Sequence, residues 1–531
     1  MPPIRQFYGI FLVAFLSFLS IAAGKASQRP NIIFILADDL GWNDVSLHGS
    51  PQIPTPNIDK LSREGITLNN YYTMHLCSPT RGALLTGRHP MQLGLQRFVI
   101  TETTPFGLGL NETIMPQYLK PLGYSTNIVG KWHQGFFAKE LTPLYRGFDT
   151  FYGYLTSHES YYDHRCFCWA KTESGKDGYD FRDNLSLDVK DNGTYSTYLY
   201  TERAQEIVRE HNQSTPLFLY MAHQAVHSGF GSNQPTSVRE ELEAPQAIID
   251  KFKYINHEGR RRFAAMTYLL DESIGNLTRT LEEEGMLDNS IIIFASDNGG
   301  PPAGISYNYA SNWPLRGAKA SYWQGGVRAP AFIWSRLLKQ TGYTFSGLMH
   351  VTDWLPTILH AVTGSPPKVA NLYGKDMWEA LSEGGKSKRD TLIVNWDMNT
   401  GAIIRGNYKL VVLGYDEMVL NRSTWYKPEG IDVDTVNFTV KCPARDPTLP
   451  PCTNHTSPCL FDLDADPCEY NNIARKQTNL VKVLWAELME FAGAAQPPRN
   501  CPDYKWADPA YHGGAWVPYI SLNDTRHDRM C

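Results

Sequence analysis

The chain has 531 residues, 42% of them hydrophobic, and a formal net charge of −5. Length and apolar content predict a large core and two or three domains, or one large and one small. The charge balance excludes a nucleic-acid partner, because the longest basic run, Arg260-Arg261-Arg262, is short and reads as a solvated helix face.

In chain order, Arg5, the apolar run Phe7 to Ala23 and the small residues Ala22, Ala23, Gly24 and Ala26 read as a signal peptide over 1–24. No later run is long enough to span a bilayer, so no transmembrane anchor is expected. The first element of the body is Asn31-Ile32-Ile33-Phe34-Ile35-Leu36-Ala37, a continuous apolar run with the pattern of a strand buried on both faces of a parallel sheet. It runs into Asp38-Asp39 and then Gly41. Next comes Leu76-Cys77-Ser78-Pro79-Thr80-Arg81, where Pro79 suits a first helical turn and Ser78 is placed to cap it. The strand Ser125–Val129 leads into Gly130-Lys131-Trp132-His133, and the strand Leu217–Met221 leads to His223 and His227. Phe263, Met266, Leu270, Ile274, Leu277 and Leu281 recur at helical spacing, with Gly285 as the stop. Ile291–Ala295 is the clearest strand and ends in Asp297-Asn298-Gly299-Gly300. A further basic segment, Arg316-Gly317-Ala318-Lys319, follows.

Strands alternating with helices predict an α/β sheet with helices on both sides. After about residue 365, Pro and Cys become denser and strand-like pieces such as Leu392–Val394 and Lys409–Val412 are short. The expected division is therefore 1–24 signal peptide, 28–365 catalytic domain, and 366–531 a smaller α+β domain with antiparallel strands and a helix near Leu480–Phe491.

Asn-X-Ser/Thr sites at Asn111, Asn184, Asn192, Asn212, Asn276, Asn421, Asn437, Asn454 and Asn523 suit a glycoprotein. Cys166, Cys168, Cys442, Cys452, Cys459, Cys468, Cys501 and Cys531 are even in number and concentrated late, as disulfide staples are in an oxidising compartment. That arithmetic leaves Cys77 over. Its sequence allows a nucleophile, a metal ligand, a disulfide half or packing.

In open α/β sheets ligands bind beyond the carboxyl ends of the strands. Adjacent carboxylates at a buried strand end repel unless a positive charge compensates. One such end also fits a cap or a turn; two, each followed by glycine, favour a metal site. Carboxylate and amide oxygens without clustered His or Cys suit a hard cation, Ca²⁺ or Mg²⁺. A thiolate is a poor partner for such an ion. Yet Cys77 is placed at a helix start, where the backbone favours an anion, and Arg81 adds a guanidinium fork shaped for an oxyanion. Lys131, His133, His223, His227, Arg316 and Lys319 add groups able to hold an anion or move protons.

These segments resemble the type I sulfatases. Cys77-Ser78-Pro79-Thr80-Arg81 with Leu85-Thr86-Gly87-Arg88 is similar to the family's first signature, and Gly123 through His133 to its second. Ala37 through Asp44 and Ser296 through Gly300 resemble its metal-binding segments. Asn312 through Lys319 and Gly325-Gly326-Val327-Arg328 resemble the arylsulfatase B, or N-acetylgalactosamine-4-sulfatase, group. The resemblance implies an alkaline-phosphatase-like large mixed sheet flanked by helices, and hydrolysis of a sulfate ester to an alcohol and inorganic sulfate. It implies that a formylglycine-generating enzyme converts Cys77 to Cα-formylglycine, whose hydrate attacks sulfur with one hydroxyl and expels sulfate through the other. It implies one Ca²⁺ held by Asp38, Asp39, Asp297, Asn298 and modified Cys77, with Arg81 positioning the hydrate. Lys131 and Lys319 would bind sulfate, His133 would assist proton loss from the hydrate, and His227 would bind sulfate or protonate the leaving oxygen. Ser157, in Thr156-Ser157-His158-Glu159, is a further substrate contact. The implied substrate is a sulfated carbohydrate, or alternatively a small sulfated metabolite such as a glucosinolate. A phosphatase or phosphodiesterase of the same superfamily would carry Ser or Thr in place of Cys77. The implied locations are the lysosome or the extracellular space. His75 departs from the family pattern, which has a small residue or proline there.

Overall fold

A computed structural model describes residues 29–167, 177–229, 242–413, 423–452, 457–499 and 501–522. The signal peptide, Cys168, Cys531 and the sequons at Asn421, Asn454 and Asn523 lie outside the described residues.

The apolar run Asn31–Ala37 forms a fully buried strand at the centre of a ten-stranded mixed sheet. It pairs in parallel with Leu217–Ala222 on one side and Ser290–Ser296 on the other. Leu217–Ala222 pairs in parallel with Ser125–Lys131, which pairs in parallel with Thr150–Tyr154. Antiparallel strands extend both ends: Ala331–Trp334 against Ser290–Ser296, and Arg182–Asp183 against Thr150–Tyr154.

Side chains alternate across the central strand and feed two cores. Ile32, Phe34 and Leu36 pack on one face with Leu84 and Leu85 and with Trp354, Leu355 and Ile358 of the helix Trp354–Thr363. Ile33 and Ile35 pack on the other with Phe263, Leu270 and Ile274. Those last residues belong to the helix Glu258–Glu283, beyond which Gly285 adopts φ 68°. The basic triplet is not a solvated face. Arg260 is fully buried, its NH1 2.6 Å from Asp44 Oδ1, and Arg262 is 7% exposed. The amphipathic stripe continues through the start of the helix, and Asp44 supplies the charge that makes burial of Arg260 tolerable.

The C-terminal region carries a four-stranded antiparallel sheet of Thr391–Asp397, Thr400–Arg405, Tyr408–Val412 and Cys459–Asp462. The helix Thr478–Gly493 covers it, with Leu484 and Leu488 packed on Ile393, Ile403, Leu410 and Leu460. Disulfides join Cys442 to Cys468 and Cys452 to Cys459, and Cys501 is also disulfide-bonded. The first core extends past residue 365: Met377, Ala380 and Leu381 pack into it, as does Trp516 from the end of the described chain. No helix among the described residues is long and apolar enough to cross a membrane.

Candidate active site

Four adjacent parallel strands deliver most of the site from their carboxyl ends. Ala37 pairs with Ser296, so Asp38-Asp39 and Asp297-Asn298 emerge side by side. Two strands away, Lys131 ends the strand Ser125–Lys131. Asp39 and His133 adopt positive φ values of 60° and 52°, a conformation uncommon for non-glycine residues. The His227 turn is tied to the central strand: Asp38 N–H donates to Ala225 O at 2.9 Å and Val226 N–H to Asp38 O at 2.7 Å. Asn308 clamps both segments, donating to Asp39 O at 3.2 Å and Val226 O at 2.9 Å. Glycine is required at Gly299, where a Cβ would meet Gly325 O at 1.8 Å.

Cys77 is the first residue of the helix Cys77–Thr86, all of whose residues are buried. Ser78 does not cap it; its hydroxyl accepts from Ile100 N–H at 3.0 Å, and Leu76 occupies the cap position without a side-chain bond. The unbonded N–H groups of that first turn therefore remain available around residue 77. Burial pushes the Cys77 thiol up to about 12, and the charges of Lys131 and Lys319 offset only part of that shift. A thiol so placed is neutral at physiological pH and a weak nucleophile.

The ligand atoms of Asp38, Asp39 and Cys77 all lie within 4.8 Å of one another. Asp38 Oδ1 and Asn298 Oδ1 are buried without a hydrogen-bond partner. Orphaned oxygen acceptors beside a second carboxylate fit a hard divalent cation, so these acidic groups can hold a metal. Cationic side chains surround them. Lys131 Nζ is 2.5 Å from Asp38 Oδ2, Lys319 Nζ is 2.7 Å from Asp39 Oδ2, and Arg81 donates to Asp297 Oδ2 from Nε at 3.2 Å and NH2 at 2.8 Å. Burial disfavours the charge on Asp38, but Lys131, His227, Arg81 and Lys319 outweigh it and hold this carboxyl well below the usual range. Burial and repulsion from Asp38 push Asp297 up to about 7 against the pull of Arg81.

Burial and neighbouring cations hold His133 and His227 well below the ordinary histidine value. His133 Nε2 donates to Ile100 O at 2.9 Å, which leaves Nδ1 a buried bare acceptor. His227 Nδ1 donates to Ser228 O at 2.7 Å, and its Nε2 faces Asp39 Oδ2 at 3.5 Å. His223 stands apart, with Nε2 3.2 Å from Ser273 Oγ beneath the sheet's helical layer. Ser157 is buried and bonded to Glu102 and His158. His75 is 4% exposed, its ring edge-on to Tyr322 and its carbonyl accepting from Ala320 N–H, next to Lys319.

Three polar residues of this neighbourhood had no sequence signal strong enough to single them out. Glu102 lies in an irregular loop, Asn308 in a long one, and His158 stands beside Ser157 in a segment whose regular structure ends at Tyr154.

A cradle of oxygen acceptors beside a helix start, ringed by fixed cations, suits one class of chemistry: hydrolysis of an ester whose acid half is an oxyanion. The sulfatase family profile matches residues 30–365. The chain is 39% identical to arylsulfatase J of Mus musculus over 519 residues, covering 94% of this chain and 81% of that one. It is 30% identical to arylsulfatase A of Bos taurus over 504 residues, covering 89% and 92% of the two chains. A solved structure, Ps i-CgsB in complex with k-i-k-neocarrahexaose, is 25% identical with a TM-score of 0.72, covering 89% of this chain and 94% of that one. The chain belongs to the sulfatase family and is a sulfuric ester hydrolase, releasing an alcohol and inorganic sulfate.

Proposed function

We propose that this sulfatase works through Cα-formylglycine at position 77 with one Ca²⁺ ion. Asp38, Asp39, Asp297 and Asn298, with the modified Cys77, hold the ion. When present, the two groups supply a hydroxyl nucleophile on sulfur and Lewis-acid polarisation of a sulfate oxygen. The observation that carries the reading is Cys77 itself, buried at a helix start with its sulfur within 4.8 Å of the Asp38 and Asp39 ligand atoms. A thiol there is both inert and a poor ligand for a hard ion; replacing sulfur by oxygen removes both objections.

The chain's own groups then have assigned tasks. Lys131 and Lys319 bind sulfate oxygens and stabilise charge developing on them. Arg81, fixed by Asp297, orients residue 77. The bare Nδ1 of His133 takes a proton from the hydroxyl side of the site. His227, whose Nδ1 proton is committed to Ser228 O, binds sulfate or delivers a proton to the leaving oxygen from Nε2 when it is an imidazolium. Ser157 serves the substrate side.

The substrate is a sulfated carbohydrate. One relative, N-acetylgalactosamine-6-sulfatase of Canis lupus familiaris, 27% identical over 507 residues, supports sulfated N-acetylgalactosamine, and the arylsulfatase B-like segments support its 4-sulfate. A small sulfated metabolite such as a glucosinolate is the second reading. The matched relatives are sulfatases, so a phosphatase reading is not favoured. The protein travels the secretory pathway to the lysosome or the outside of the cell. Its disulfides support that route, as do Asn111, Asn192, Asn212 and Asn437, which are exposed. Cys77→Ala is expected to fold and be secreted but to turn over no aryl sulfate. Retained turnover by the purified variant would overturn the assigned nucleophile.

A further inference from the structure

Arg316 and Lys319 share one basic segment, yet only Lys319 has a task in the chemistry above. Arg316 is 5% exposed, and the C-terminal region claims its guanidinium. Nε donates to Ser423 O at 2.8 Å, NH2 to Cys452 O at 3.2 Å and NH1 to Glu469 O at 3.4 Å. The same cation lies 3.5 Å from the centroid of the Trp323 ring and 4.6 Å from that of Trp425. A planar fork of N–H donors serves three carbonyls and aromatic faces at once, which a single ammonium does not.

The acceptors are themselves held. Disulfides Cys452–Cys459 and Cys442–Cys468 staple two of the three segments, and Trp425 Nε1 donates to Cys468 O at 2.7 Å. Glu469 is fully buried; its Oε1 is 2.7 Å from Lys409 Nζ, and its Oε2 accepts from Gln324 N–H at 2.8 Å. The next peptide is tied to the same region, with Gly317 N–H donating to Thr424 O at 2.8 Å. The chain then turns toward the site. Ser321 Oγ accepts from Ala318 N–H at 3.2 Å, Lys319 N–H donates to Gly300 O at 3.2 Å, and Lys319 Nζ reaches Asp39 Oδ2 at 2.7 Å. Gly317 and Ala318 have no polar side chain, so Arg316 is the nearest upstream side chain able to anchor the lysine.

We propose that Arg316 is a positioning residue through which the disulfide-stapled C-terminal region fixes the turn that aims the Lys319 ammonium. This rests on the assignment of Lys319 to sulfate made above. Arg316 then contributes to rate without touching the substrate, and the placement of the lysine depends on both regions of the chain. A charge aimed at a transition state loses much of its effect when it is misplaced by about 1 Å, so the loss falls on kcat.

A double-mutant cycle on 4-nitrophenyl sulfate tests this, because a merely structural role would lower Tm but would not be coupled to Lys319 in kcat. Arg316→Met is expected to lower kcat about tenfold or more, with a smaller change in KM. In a Lys319→Ala background the same substitution is expected to change kcat by less than about twofold, while Tm falls equally in both backgrounds. Arg316→Lys keeps the charge without the fork and carries the same cycle if Arg316→Met is not secreted. Equal fold losses of kcat in the two backgrounds, or an Arg316→Met enzyme with the wild-type kcat, would overturn the proposal. A Lys319→Ala enzyme with the wild-type kcat would overturn the assignment of Lys319, and the proposal with it.

Discussion

Cys77 shows how strongly a site can constrain a single residue. Its thiol is buried, neutral and beside carboxylates, so as encoded it can neither attack nor ligate well. The lysines are more directly placed: Lys319 is 2% exposed with Nζ at Asp39 Oδ2, where a sulfate oxygen beside the cation would find it. Lys319→Ala is expected to lower kcat on an aryl sulfate about 100-fold or more, with a smaller change in KM; a pure KM effect in steady-state kinetics would contradict its assignment to the transition state. The buried histidines also set the acid limit of the fold. Burial alone holds His223 at about 3 against an ordinary 6.5. The unfolded chain therefore takes up a proton below pH 6.5 that the folded chain refuses, and this group's contribution, complete above 6.5, drains as pH falls toward 3. His223→Gln should flatten the stability-versus-pH curve by one proton, about 1.4 kcal/mol per pH unit, in denaturant titrations between pH 4.5 and 6. Parallel curves for the two proteins would show that His223 is not held neutral.

At the scale of elements, the site is a consequence of strand order. Asn31–Ala37 and Ser290–Ser296 are neighbours, so two acidic termini distant in sequence meet at one edge. Those termini were legible because an apolar run of seven residues ending in Asp-Asp-x-Gly has little other reason to place charge there. Gly299 completes the arrangement by letting the Asp297-Asn298 turn rest on Gly325. Gly299→Ala forces a Cβ to 1.8 Å from Gly325 O and must push the two turns apart. We expect a loss of about 1–3 kcal/mol in denaturant unfolding together with loss of turnover; a fully active, equally stable variant would mean that the turns do not need to touch. The Ser78 cap was misread because the sequence shows the helix signal but not that the loop at Ile100 claims the same hydroxyl. Arg260 was misread for a related reason. A charged triplet looks solvated until Asp44, 216 residues away, is seen to meet it. Glu102 was illegible outright, since it lies in a loop without periodicity.

At the scale of the molecule, the C-terminal region closes around the catalytic sheet rather than trailing from it. Trp516 is fully buried in the first core and donates from Nε1 to Cys166 O at 3.1 Å. Trp516→Ala is expected to cost about 3–5 kcal/mol of stability, read by thermal or denaturant unfolding. A loss below 1 kcal/mol would show that the tail is accessory. The cation belongs to this scale too, because the acidic groups it would join come from both ends of the catalytic region. Treatment with a chelator should abolish turnover and lower Tm, and added Ca²⁺ should restore both; unchanged activity and Tm would argue against a resident ion. All of this converges on one chemical question, the identity of the side chain at position 77. Peptide mass spectrometry of the active, secreted protein answers it. The peptide containing residue 77 is predicted to carry Cα-formylglycine, the cysteine sulfur replaced by an aldehyde oxygen. A catalytically active preparation in which that residue is only unmodified cysteine would contradict the account.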